Sequence, residues 1–128
     1  GLRLYMARPR NALSSQDILV ATRASRFAEF GEPVLVDEVS DFELAQAEPS
    51  PSADGRTLLV ATRLEGDVNL RVYYSVRDSI TAPWGALHPP PGPFFSDADE
   101  DEGAISPDGC EVLVNRNGVS SLLYYEPL

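Results

Sequence analysis

The chain has 128 residues and a formal net charge of −10, from 20 acidic and 10 basic side chains. This length corresponds to one domain with one buried core. The acidic excess argues against nucleic-acid binding and against binding to anionic lipid, because both require a basic patch. A hydrophobic fraction of 43% excludes a disordered chain. No apolar run approaches the ~18 residues needed for membrane insertion.

Short apolar runs between Gly, Pro, Asp and Asn clusters predict strands and turns instead of helices. One polar connector, Asp41–Ala47, could form a turn of helix. The predicted strands, in chain order, are Leu4–Ala7, Asp17–Arg23, Val34–Asp37, Ala47–Pro51, Thr57–Thr62, Leu70–Val76, a weak strand after Gly85, Gly103–Ser106, Glu111–Asn115 and Ser121–Tyr125.

The sequence repeats with a period of 54 residues, which is the spacing from Gly1 to Gly55 and from Gly55 to Gly109. The run Asp54–Arg63 resembles Asp108–Asn115 at this spacing. Three further pairs keep the register: Asp17–Arg23 with Arg71–Arg77, Phe30–Glu32 with Trp84–Ala86, and Glu48 with Glu102. Chance recurrence of Asp-Gly would explain one match but not a shared register.

The last repeat is shorter than the others. Its run Leu122–Tyr125 matches Arg71–Tyr74 at an offset of 51, with three residues lost at the turn Asn117-Gly118. The single cysteine, Cys110, excludes an internal disulfide. No signal peptide is visible, since Gly1 leads directly into an apolar segment.

Four antiparallel strands that recur at this period are typical of β-propeller blades. Successive apolar residues in Leu58–Val60 and Val72–Tyr74 predict sheets that are covered on both faces. One such sheet needs neighbours on which to stack. We therefore expect an all-β fold and an incomplete β-propeller, since the chain spans about 2.4 periods. Residues 1–128 would form one segment, with a partial blade at 1–40, a blade at about 47–93 and a partial blade at about 102–128.

An incomplete propeller leaves blade faces and strand edges exposed, so we expect a fragment or a chain that self-associates to complete its blades.

The segments Ser106–Val114 and Ser52–Leu58 resemble the Ser-Pro-Asp-Gly-x-x-hydrophobic repeat of TolB-like, WD-like β-propellers. Asp17–Arg23 and Phe30–Val34 resemble further strand and turn patterns of that family. The resemblance implies a propeller that is commonly six-bladed and extracytoplasmic. The founding member is a periplasmic scaffold that contacts envelope proteins, and other relatives cap the active sites of serine peptidases. The motif residues themselves are architectural, so they are specific for fold and weak for function.

This resemblance implies a non-enzymatic, protein-binding or scaffold segment, periplasmic or extracellular, with an unidentified protein partner. Two alternatives stay open: a gating part of a larger serine peptidase or hydrolase, and a calcium- or carbohydrate-binding propeller module. The sole histidine, His88, lies in a Pro-rich run, and no Gly-x-Ser-x-Gly motif is present. We therefore expect no catalytic residue, no bound cofactor and no metal.

The Ser-x-Asp-Gly segments are predicted to be structural turns, in which the Ser and Asp side chains bond local backbone N–H groups. The turn residues are Ser52, Asp54, Gly55, Ser106, Asp108 and Gly109. Glu48 and Glu102 each precede a first strand and are expected at the rim of a central channel. There they could bind cations or basic partner groups, or form a charged rim without a tight ligand.

The run that contains Asp97, Asp99 and Asp101 is a weak candidate for Ca²⁺, because closely spaced carboxylates suit that ion. The alternative is a solvated acidic loop.

Overall fold

A computed structural model of the chain describes residues 1–9, 16–40, 45–63, 66–90 and 98–124. Within these ranges the fold is all-β, as the sequence predicts, and contains no α-helix. Three antiparallel sheets of three strands each follow one another along the chain. No helix in the described ranges is long and apolar enough to cross a membrane.

The first sheet contains β1 to β3, the middle sheet β4 to β6 and the last sheet β7 to β9, each in sequence order. A 3₁₀ turn over Asp37–Val39 follows the first sheet. The strands are β1 Arg3–Pro9, β2 Gln16–Thr22, β3 Val34–Leu35, β4 Ala45–Pro51, β5 Thr57–Arg63, β6 Arg71–Val76, β7 Glu100–Ile105, β8 Glu111–Arg116 and β9 Val119–Tyr124.

The strand pairing repeats with the predicted period. Leu59 pairs with Tyr74 in the middle sheet. One period earlier in the sequence, the equivalent residues Tyr5 and Val20 pair in the first sheet. The first and middle sheets therefore share one register between their long strands.

The weak strand that the sequence predicts after Gly85 is a single antiparallel bridge between Tyr74 and His88. This bridge is the counterpart of the pair Val20–Val34, which joins β2 to β3. The middle sheet thus keeps the position of a fourth strand with only one pair of backbone hydrogen bonds, 2.8 and 2.9 Å long.

The last repeat is aligned differently from the sequence prediction. Leu113 pairs with Leu122, so the counterpart of Tyr74 is Leu122, at an offset of 48 and not 51. The physical reason is the connection between β8 and β9: two residues separate the paired ends Arg116 and Val119, whereas eight separate the paired ends Thr62 and Arg71 of β5 and β6. Asn117 and Gly118 both have positive φ, as a two-residue hairpin turn requires.

The prediction of a helical turn over Asp41–Ala47 is wrong where the structure describes it. Ala45–Ala47 belong to β4, and Ala47 pairs with Ala61 of β5. Pairing along a sheet edge outweighs the helix propensity of single alanines, and residues 41–44 lie outside the described ranges. The strand predicted over Val34–Asp37 is also shorter, because it ends at Leu35.

Apolar side chains bury both faces of the middle sheet, as the runs of successive apolar residues predict. Leu58 and Val60 of β5 pack with Ile18 of β2 in one cluster. Leu59, between them in sequence, packs on the other face with Val114 of β8 in a second cluster. Full burial of one such side chain stabilises the fold by roughly 1.5–3 kcal/mol.

Glu100 of β7 connects the last sheet to the middle sheet by polar contacts. Its side chain is 3% exposed and accepts hydrogen bonds from Arg116 Nε at 2.8 Å and from the Val72 N–H at 3.3 Å. Its own N–H donates to the Leu70 carbonyl oxygen at 2.8 Å. Its counterpart in β4 is Gln46, which is also buried. Gln46 pairs with Thr62 of β5, as Glu100 pairs with Arg116 of β8.

Replacing Glu100 tests this connection. Glu100→Ala leaves a half-buried guanidinium without this partner, so we expect the free energy of unfolding to fall by about 3 kcal/mol. Glu100→Gln should cost about 1 kcal/mol, because the equivalent position accepts Gln46. Urea unfolding followed by circular dichroism measures both. Equal losses in the two variants would contradict a role for the charge pair.

Candidate functional site

The turn between β4 and β5 is held by its own side chains. Ser52 Oγ donates to Asp54 Oδ1 at 2.6 Å and accepts from the Thr57 N–H at 2.9 Å. The Arg56 N–H donates to the same carboxylate oxygen at 3.0 Å. Gly55 has a φ of +69°, which costs a side-chain-bearing residue about 1–2 kcal/mol. These side chains are engaged by the backbone around them.

The turn between β7 and β8 has the same bonds at the equivalent positions of the next repeat. Ser106 Oγ donates to Asp108 Oδ1 at 2.5 Å and accepts from the Glu111 N–H at 3.0 Å. The Cys110 N–H donates to the Asp108 carboxylate at 3.1 Å, and Gly109 has a φ of +76°. Both turns therefore start a second strand in the same way, which favours an architectural role over a catalytic one.

Hydrogen bonding lowers the pKa of both turn carboxyls below the usual 3.8. For Asp54 the largest cause is the hydrogen bond from Ser52, followed by that from the Arg56 backbone. For Asp108 it is the bond from Ser106. Because each pKa is lower in the folded state, these carboxylates stabilise the fold at pH values above 3.8. This contribution is lost as the pH falls through the lower pKa values of the folded state.

The double variant Asp54→Asn/Asp108→Asn should show a shallower loss of stability from about pH 5 downward than the unmodified chain. Its free energy of unfolding should already be lower at pH 7, because the charge-assisted bonds are missing. Melting temperatures across this pH range measure both effects. The variant Glu29→Gln/Glu32→Gln removes two exposed carboxylates elsewhere and is the matched control. An unchanged pH profile in the Asp variant would contradict the assignment.

A stacked arginine follows the second long strand of the first two repeats. Arg77 Nε donates to the Gly55 carbonyl oxygen at 2.8 Å, and its guanidinium lies 4.0 Å from the ring centre of Trp84. Arg23, the equivalent residue of the first repeat, lies 4.5 Å from the ring centre of Phe30. The recurrence of these residue types was visible in the sequence, but their stacking was not predicted.

Glu48 and Glu102, predicted to share a channel rim, line one groove of about 220 Å³. Both side chains are exposed, and Glu48 has a positive φ of 47° beside an irregularity in β4. Leu113 and Asn115 of β8 and Ser120 of β9 form the floor, with adjacent backbone of β4 and β7. The structure therefore brings the two glutamates, one from the middle sheet and one from the last sheet, to the same groove.

Asn115 is the residue of this groove that sequence reasoning missed. It lies opposite Glu102 on β7 and opposite Ser120 on β9, so the three side chains share one face. Its Oδ1 is buried and has no hydrogen-bond partner in the described part of the chain. Its counterpart in the middle sheet is Ala61, so the signal was a polar residue at an apolar position of the repeat. The groove thus offers several oxygen acceptors, two of them charged.

The calcium candidate gains no support from the described residues. Asp97 lies outside them, and Asp99 Oδ1 accepts the Leu70 N–H at 2.7 Å, which ties β7 to the start of β6. Asp101 is exposed. In the ranges that the structure describes, no three His, Cys, Asp or Glu side chains are grouped so that they could hold a metal ion.

No model of a known protein family matches the chain, and no curated protein matches it. The resemblance to TolB-like repeats therefore depends on the sequence motifs quoted above. The function is inferred from the stacked sheets, their exposed faces and the groove.

Proposed function

We propose that the chain is a non-enzymatic scaffold segment of the β-propeller type, in which stacked blades present their outer faces to protein. One observation carries this proposal. Leu59 of the middle sheet is 4% exposed beneath the last sheet, whereas its counterpart Leu113, on the outward face of the last sheet, is 43% exposed. A repeated surface that is covered in one sheet and open in the next is a surface suited to a further protein neighbour.

The outward face of the first sheet is likewise more exposed than the equivalent face of the middle sheet. Leu58 of the middle sheet is fully buried, whereas its counterpart Leu4 is 46% exposed. Such end faces are expected of blades whose neighbours are supplied by another protein surface. Self-association of the chain would be one way to cover them.

The resemblance to TolB-like repeats adds an expected location, in the periplasm or outside the cell, and an expected role in contacting a protein partner. The alternatives of a peptidase-gating segment and of a calcium- or carbohydrate-binding module gain no specific support from the described residues. A scaffold uses the features that these residues do provide, namely stacked sheets with open apolar ends.

Duplicating one period tests the proposed blade architecture. A second copy of residues 55–108, inserted between Asp108 and Gly109, keeps every Asp-Gly turn and adds one sheet to the stack. Because an added repeat buries one more interface, we expect the duplicated chain to melt cooperatively, about 5 °C or more above the original chain in the same oligomeric state. Calorimetry and light scattering measure this result.

The matched control is a Gly/Ser segment of equal length inserted at the same point, which should not raise the melting temperature. A duplicated chain that melts no higher than this control would contradict stacking of equivalent blades, and with it the proposed scaffold.

A further inference from the structure

β7 lies on the side chains of Leu59 and Val72 of the middle sheet, and we call this pair of residues its seat. The counterpart of this seat on the last sheet lies in the groove. β7 packs across β5 and β6. At the closest approach, a Cβ on Gly103 would lie 3.0 Å from side-chain carbons of both Leu59 and Val72. An extended strand therefore lies directly on these two side chains, at a position where a larger residue would push them aside by a few tenths of an ångström.

The last sheet presents the equivalent position on its outward face, with the leucine kept and serine in place of valine. Leu113 is the counterpart of Leu59, and Ser120 takes the place of Val72 according to the strand pairing. Both residues line the groove, and both are exposed. The groove therefore lies where an extended segment would rest on the last sheet in the way that β7 rests on the middle sheet.

The polar groups of the groove define the chemistry of that segment. Glu48 and Glu102 contribute two carboxylates, and Asn115 Oδ1 is a buried acceptor without a donor among the described residues. At the matching position of the middle sheet, Ala61 contributes no polar group. An occupant must therefore supply hydrogen-bond donors, and positively charged donors complement both the carboxylates and the chain's net charge of −10.

We propose that this groove binds an extended, basic segment of a partner protein. A glycine or other small residue lies over Leu113 and Ser120, and a neighbouring Lys or Arg reaches Glu48 and Glu102. The proposal rests on the protein-binding function proposed above and specifies the partner's chemistry. Apolar contact with Leu113 contributes affinity, and the acidic groups select a basic segment.

Fluorescence anisotropy with two capped octapeptides tests the proposal. The basic probe is Val-Thr-Lys-Lys-Gly-Val-Thr-Val, and the acidic probe carries Glu in place of both Lys residues. At low salt we expect the basic probe to bind at least tenfold more tightly, and its affinity to fall as salt is added.

Two variants separate the local contacts from the overall charge. Glu48→Gln/Glu102→Gln should weaken binding of the basic probe about tenfold or more. Glu29→Gln/Glu32→Gln changes the net charge equally on another part of the surface and should have little effect. Ser120→Trp fills the counterpart of the seat and should abolish binding while the melting temperature is retained, since Ser120 is exposed.

Three results would overturn the proposal: equal binding of the two probes, equal effects of the two double Glu variants, or binding that survives Ser120→Trp. Light scattering that showed a dimer, unaffected by the basic probe but dissociated by Ser120→Trp, would also overturn it and assign the face to self-association. If probe binding fails but the duplicated chain is stabilised, the groove proposal falls and the scaffold stands.

Discussion

Burial of both faces of a thin sheet is the constraint on which the structure depends. Side chains alternate between the two faces of a strand, so successive apolar residues such as Leu58 and Leu59 leave apolar surface on each side. Three strands cannot enclose that surface by themselves, and a neighbouring sheet must cover each face. The order of the three sheets follows from this requirement.

Apolar stacking alone would permit several orientations of one sheet on the next, because the hydrophobic effect is not directional. Directional contacts are supplied at the junctions. Glu100 binds Arg116 within its own sheet and the Val72 N–H of the adjacent sheet, so its buried carboxylate is satisfied in one arrangement. Asp99, which accepts the Leu70 N–H, provides a second such contact nearby. The buried Glu100 and the exposed Asp99 thereby add directional contacts to the apolar clusters.

The same constraint links the fold to the proposed function. A stack of equivalent sheets leaves its end faces uncovered, as the exposure of Leu113 beside the burial of Leu59 shows, and the proposed function assigns a protein neighbour to them. The outward face of the last sheet differs in having Asn115 and Ser120 where the middle sheet has apolar residues. A surface that combines Leu113 with serine, amide and acidic oxygens suits a basic polypeptide better than a purely apolar sheet.

The sequence by itself determined the features that arise within a few residues or from the period. These are the all-β class, the positions of most strands, the turns at Asp54 and Asp108 and the equivalence of the first two repeats, because turn bonds and alternating burial are local. Only the tertiary structure decided the shorter register of β9, the strand conformation of Ala45–Ala47 and the grouping of Glu48 and Glu102 with Asn115 in one groove. These depend on pairing and packing between segments far apart in sequence, for which local residue preferences carry little information.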